Sequence, residues 1–234
     1  MARLLLLSNS SNHGQGYLDH ALPAIRGLLG PVPRLLFVPF ALQDRAAYAQ
    51  KARTRFATEG VEVDALTADE AGRRAVEGAE AVFVGGGNTF RLLRALQDAD
   101  LLEPLARRVR AGLPYLGTSA GVNVACPTIK TTNDMPIVQP KRFEAMGLVP
   151  FQINPHYLDA DPTSRHMGET REDRIREFLE ENDLVVVGLR EGAWLRVDGA
   201  SGWVEGGAGA RVFRRGRDPE ERAPGSALDD LLAR

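Results

Sequence analysis

Leu113-Pro114-Tyr115-Leu116-Gly117-Thr118-Ser119-Ala120-Gly121 is a short apolar run that ends in a G-x-S-x-G pentapeptide. Glycines two positions either side of a serine let the chain turn sharply out of a strand and into a helix, with the hydroxyl held up where a substrate can reach it. Ser119 is therefore a candidate nucleophile at the end of a buried strand. Close packing of small residues at a strand-to-helix turn explains the same five residues equally well, so the rest of the chain has to decide.

Working outward, short apolar runs alternate with longer segments of helical period, the rhythm of a parallel sheet covered by helices on both faces. Strands are expected at 3–7, 35–38, 61–66, 81–84, 147–154 and 184–189, and helices at 17–29, 45–58, 89–96 and 101–111. Thr170 is placed to cap a helix that runs to about Glu181. Residues 127–140 read as an ordered, proline-punctuated loop, and 159–169 as a second loop. Between Trp194 and Phe213 the runs shorten and are split by Asp198-Gly199 and Gly206-Gly207, which signals antiparallel hairpins. The expected fold is a three-layer α/β/α domain with a mostly parallel, doubly wound sheet and a C-terminal antiparallel hairpin region. A single domain is expected over 1–234, with its core in 1–213 and a polar surface tail in 214–234.

Composition narrows the function classes. The 29 basic and 31 acidic residues nearly cancel, leaving a formal charge of -2, so no long-range field points to nucleic acid or an anionic membrane. One cysteine, Cys126, excludes an internal disulfide and a multi-cysteine zinc site. Leu4-Leu5-Leu6-Leu7 is too short to span a bilayer or to form a signal-peptide core, so a cytoplasmic protein is expected.

In an open α/β sheet, the loops after the carboxyl ends of the strands converge on one crevice. Four features occupy such positions: the turn Gly85-Gly86-Gly87-Asn88, Ser119, His156 and Glu191. A serine hydroxyl needs a base to take its proton, and the imidazole needs a carboxylate to fix its tautomer. His156 is the candidate base, with His13 after the first strand as its rival. His20 falls inside the first expected helix and His166 in a polar loop. Glu191 and Asp134 compete for the carboxylate. No histidine follows residue 166, so the Ser, Asp or Glu, His order of α/β-hydrolases is not met. The glycine turn is not a nucleotide fingerprint either. Phe90 stands where the third glycine is needed, and no G-K-[ST] follows. As an oxyanion hole the turn makes sense, with the N–H of Gly87 beside that of Ala120.

The run 118–121, continued by Ala125-Cys126-Pro127-Thr128-Ile129 and by Thr131 to Val138, closely resembles peptidase E, the α-aspartyl dipeptidase family of serine peptidases. Phe83 to Thr89, Asn154-Pro155-His156, Gly168 to Glu172 and Leu189 to Gly192 extend the match over roughly residues 1–213. The resemblance implies a fold like that of class I glutamine amidotransferases and hydrolysis of dipeptides that begin with aspartate. It implies Ser119 as nucleophile, His156 as base and Glu191 as orienting carboxylate, with Asp134 also a site residue, and no metal or organic cofactor. Cys126, past the elbow, is expected to be a small buried apolar residue.

Specificity for aspartate calls for a guanidinium that can grip a carboxylate with two hydrogen bonds, and Arg171 is the candidate. Asn88 would add a hydrogen bond to substrate, and Asp134 or Glu169 would meet the free ammonium. The expected partner is a small Asp-Xaa peptide, and a homodimer is the candidate assembly. Two other readings stay open on the same scaffold: a cyanophycinase-like or isoaspartyl peptidase, and a non-catalytic protein that binds aspartyl peptides or nucleotides.

Overall fold

The computed structural model describes residues 1–161, 163 and 168–233, so the expectation for His166 lies outside the described residues. In chain order the strands are β1 (Arg3–Leu7), β2 (Arg34–Val38), β3 (Glu62–Ala65), β4 (Val82–Val84), β5 (Tyr115–Thr118), β6 (Gln152–Tyr157), β7 (Val186–Arg190), β8 (Ala193–Asp198), β9 (Ser201–Gly206), β10 (Ala210–Phe213) and β11 (Glu220–Arg222). The helices are α1 (Leu22–Leu29), α2 (Arg45–Ala57), α3 (Glu70–Gly78), α4 (Thr89–Asp98), α5 (Leu102–Arg110), α6 (Ala120–Asn123), α7 (Arg171–Glu181) and α8 (Asp229–Leu232).

The main sheet has the order β3-β2-β4-β5-β1-β8-β9. Its first five strands are parallel, and β8 and β9 close one side as an antiparallel ribbon. Alternation along β1 shows why it is apolar throughout. Leu4 and Leu6 pack with α4 and α5 on one face, while Leu5 and Leu7 pack with α1 and α2 on the other. Each of these leucines is fully buried, a contribution of ~1.5–3 kcal/mol apiece. The central strands of the three-layer architecture thus have two covered faces, as a parallel sheet requires.

The strand that carries His156 and the strand that ends just before Glu191 do not join this sheet. They form a second one, ordered β11-β10-β7-β6, in which β6 and β7 are parallel and the others antiparallel. Helix α7 covers one of its faces through Ile175 and Leu179 against Tyr157, Val186 and Phe213. Ile153, Val187 and Leu189 on the other face merge with the larger core. Apolar runs show that a strand is buried but not which edge it takes, and here β8 occupies the free edge of β1. Pro155 is tolerated because β6 is an edge strand.

Several boundaries move for local reasons. The first helix starts at Leu22 and not at Tyr17, because Leu18 is left-handed (φ 65°) and Pro23 sits in the first turn. The strand expected from Gly147 starts at Gln152, since the preceding segment turns back: Met146 N–H donates to Val124 O and Leu148 N–H to Ala125 O. Helix α3, unexpected from its sequence, is capped by Asp69 and buries only Gly72 and Val76, too few positions to display a period. The 214–234 segment, expected on the surface, contributes β11 to the second sheet and buries Leu228 and Leu231.

Cys126 is buried, its thiol donates to Val122 O, and burial pushes its pKa up to about 12. At pH 8 the native thiol should therefore resist a disulfide reagent such as DTNB. Labelling should follow the unfolding curve in denaturant, and rapid stoichiometric labelling of the folded protein would contradict the buried position.

Candidate active site

The serine turn is built by close approach to the sheet. A Cβ on Gly121 would lie 2.2 Å from Val84 O, a contact only glycine avoids. The hydroxyl of Tyr115 donates to Gly121 O at 2.6 Å and fixes the turn from below. Ser119 itself is held at φ 50°, ψ -106°, with its N–H donating to Leu7 O. That backbone region is sparsely populated for a residue with a side chain and costs ~1–3 kcal/mol, which the surrounding packing offsets.

His156 and Glu191 reach Ser119 from the second sheet. His156 Nε2 lies 2.9 Å from Ser119 Oγ, and His156 Nδ1 lies 2.6 Å from Glu191 Oε1. A carboxylate only accepts, so Nδ1 carries the proton and Nε2 is left to accept from the serine hydroxyl. His156, like Ser119, is a non-glycine residue at positive φ, 55°.

Its backbone is secured by a residue the sequence reading passed over. The hydroxyl of Ser8, fully buried just past β1, accepts from His156 N–H at 2.9 Å and donates to Leu189 O at 2.8 Å. The next residue, Asn9, accepts from Gly192 N–H at 2.9 Å, beside Glu191. The signal was present in the sequence. Two polar residues follow directly on an apolar strand, at the end where the loops converge.

Beside the serine, Gly87 takes φ 129°, and a Cβ there would lie 2.7 Å from the Leu42 side chain. Gly86 packs against Ser119, with a would-be Cβ 3.1 Å from Ser119 Cβ. Among the described residues, the N–H groups of Gly87 and Ala120 have no backbone acceptor, so both are available to an oxyanion.

Asp134 does not contact His156 among the described residues. Its Oδ2 accepts from Thr89 N–H at 2.7 Å and from the Thr132 hydroxyl at 3.1 Å, at the start of α4. Asn88 caps the same helix. Its Oδ1 accepts from Arg91 N–H and its Nδ2 donates to Met135 O, which leaves one amide hydrogen. His13 lies in an exposed turn after β1 and makes no contact with Ser119 among the described residues.

Arg171 is the first residue of α7, behind a capping box made by Thr170 and Asp173. It lines a cleft of about 520 Å³ together with Asn133, Asp159, Glu169 and Arg174. Asn133 Nδ2 donates to Pro155 O, so this cleft adjoins His156. The nearby acids are otherwise engaged: Glu172 with Arg176 and Arg211, Asp173 in the cap, Glu169 with Arg174, and Asp159 with Arg190. Asp161, which also lines the cleft, accepts from the N–H and hydroxyl of Thr163. Burial and the charge of Arg174 lower the Arg171 pKa, the environment of a cation short of an anion. Among the described residues, no three His, Cys, Asp or Glu side chains are grouped to hold a metal ion.

The sequence profile of peptidase family S51 matches residues 4–203. The chain belongs to this family. Membership in S51 makes it a serine-type peptidase. Its S51 relatives include peptidase E of Streptomyces coelicolor, 56% identical over 98% of this chain and 94% of its own length. A Drosophila melanogaster protein named "Probable alpha-aspartyl dipeptidase" is 47% identical over 98% of this chain and 97% of its own. The crystal structure of a peptidase from an acI-B1 actinobacterium has the same fold, with a TM-score of 0.73 at 18% identity over 97% of this chain and 96% of that one. No described helix is long and apolar enough to cross a membrane.

Ser8→Ala should leave the His156 N–H buried and unpaired, a loss of ~1–3 kcal/mol. Thermal unfolding should move down accordingly, and fluorophosphonate labelling of Ser119 should slow by about tenfold or more. Wild-type labelling in a folded Ser8→Ala protein would show that the contact does not position the imidazole.

Proposed function

We propose that this S51 member is a dipeptidase that releases N-terminal aspartate from Asp-Xaa through an acyl-enzyme on Ser119. The observation that carries the reading is the continuous chain Ser119 Oγ, His156 Nε2, His156 Nδ1, Glu191 Oε1, with links of 2.9 Å and 2.6 Å. The name of the Drosophila relative supports the aspartyl preference.

Ser119 Oγ attacks the aspartyl carbonyl carbon while His156 Nε2 takes its proton. The carbonyl oxygen becomes an oxyanion, stabilised by the N–H groups of Gly87 and Ala120, each worth roughly 3 kcal/mol in the barrier. When the C–N bond breaks, His156 returns the proton to the departing amine of the second residue. Water then adds to the aspartyl ester with His156 again as base, and aspartate leaves as Ser119 recovers its proton. Glu191 holds the Nδ1 proton throughout and offsets the positive charge that the ring carries between steps. Arg171 receives the side-chain carboxylate of the substrate in the adjoining cleft. This role is supported by its lack of an acidic partner among the described residues.

Purified Ser119→Ala should lose Asp-Leu hydrolysis with its fold intact, and wild-type turnover by that variant would end the proposal. Comparing α-Asp-Leu, β-Asp-Leu and β-Asp-Arg tests the linkage, with turnover expected only for the first. Replacing Glu191 with Gln should lower kcat by about 10³- to 10⁴-fold, as loss of an orienting carboxylate does elsewhere. The matching Asp134→Asn variant should act mainly on stability through the start of α4, and the reverse ranking in kcat would reassign the acid. Arg171→Met should harm Asp-Leu cleavage far more than any residual cleavage of Ala-Leu, whereas equal losses would remove its role in specificity.

A further inference from the structure

A second cleft, of about 430 Å³, shares no lining residue with the one that holds Arg171. Its wall begins at Leu42, the side chain against which Gly87 is packed, so it starts at the oxyanion turn itself. Arg45, Arg91 and Arg94 line it along with Val138. Arg94 is paired with Asp98 at 3.4 Å. Arg45 lies over the Phe40 ring at 4.6 Å, and neither it nor Arg91 has a carboxylate partner among the described residues. Asp98, the one acid that lines this recess among the described residues, is shared between Arg94 and Lys141, so the two remaining cations, Arg45 and Arg91, favour an anionic ligand.

The rim is apolar and exposed. Asn88 joins two loops there: its N–H donates to Ala41 O and its Nδ2 to Met135 O. Leu42, Met135 and Ile137 are 39%, 75% and 52% exposed, among the few large apolar side chains left open to solvent. Apolar side chains next to a cationic recess, beginning at the oxyanion donor, fit one chemical object. That object is the second residue of a dipeptide, with its side chain on the rim and its α-carboxylate inside.

We infer that this cleft is the leaving-residue subsite, with Arg91 and Arg45 receiving the free α-carboxylate and the rim of Leu42, Met135 and Ile137 receiving an apolar side chain. The inference rests on the proposed aspartyl dipeptidase activity and explains its restriction to two residues. The α-carboxylate of a dipeptide lies within about one residue length, ~4 Å, of the scissile amide. Arg91 stands three residues along α4 from Asn88, the neighbour of Gly87, and Arg45 opens α2 three residues after Leu42, whose side chain packs against Gly87. A longer peptide would present a neutral amide where the cations require charge.

The test measures kcat/KM for Asp-Leu, Asp-Leu-amide and Asp-p-nitroanilide with the wild type, Arg91→Met, Arg91→Lys and the Arg45→Met/Arg91→Met double variant. The wild type should prefer Asp-Leu to its amide by about tenfold to a hundredfold, the range for charge-assisted hydrogen bonds. The double variant should bring that preference close to unity, mainly by raising KM for Asp-Leu, and Arg91→Lys should retain part of it. Both arginines are rooted in helices with no ion pair to lose among the described residues, and thermal melts will report any change in folding. Asp-p-nitroanilide has no carboxylate beyond its scissile bond. If the wild type cleaves it and the double variant still prefers Asp-Leu to the amide by the wild-type ratio, the subsite is overturned and the aspartyl activity stands. If the wild type cleaves none of the three, the activity is overturned and the subsite falls with it.

Discussion

One buried hydroxyl ties the candidate site together. Ser8 links segments 148 and 181 residues further along the chain, accepting from His156 N–H and donating to Leu189 O. Both polar capacities of a group removed from water are thereby satisfied, and an unsatisfied one would be costly. The pair of bonds also fixes how the strand that ends beside the serine turn meets the strands that bring imidazole and carboxylate. Asn9 repeats the arrangement one residue later at Gly192. The geometry at Ser119 is therefore set by the end of β1 as much as by the serine turn.

Around this tie the site divides its tasks by physical environment. Ser119 and His156 hold left-handed backbones where packing over-determines them, with Gly121 against Val84 O on one side and Ser8 on the other. Asp134 and Asn88 serve the start of α4, the helix whose preceding turn offers Gly87 to an oxyanion. Cations without acids of their own flank the turn in two separate recesses, Arg171 in one and Arg45 with Arg91 in the other. Acids that might have neutralised Arg171 are committed to Arg174, Arg176, Arg190, Arg211 and the helix cap.

Much of this could be read in the sequence because its causes are local. Apolar runs such as Leu4 to Leu7 have a single interpretation in a doubly covered sheet, and the glycines around Ser119 mark a turn that larger residues would obstruct. Topology favoured Glu191 over Asp134 but left His13, also past a strand end, beside His156, and only the family resemblance chose between the two histidines. In the structure His156 Nε2 lies 2.9 Å from Ser119 Oγ and His156 Nδ1 2.6 Å from Glu191 Oε1. What escaped was non-local. Ser8 looks like an ordinary loop residue until the strand that meets it is known. The division into two sheets depends on which edge β8 takes, a matter of competition between strands and not of pattern. Helix α3 and the C-terminal β11 bury too few side chains to leave a period, and neighbours hold them in place.

The seam between the two sheets has a further meaning. The serine follows a strand of one hydrogen-bonded sheet, and the imidazole stands on a strand of the other. The carboxylate sits in the turn that joins β7 of the second sheet to β8 of the first, so neither sheet holds the reactive set by itself. Reactivity at Ser119 is then a coincidence signal. It reports that two separately paired strand systems have docked in register, and it would fall silent on a slip along the seam that left every strand in both sheets intact.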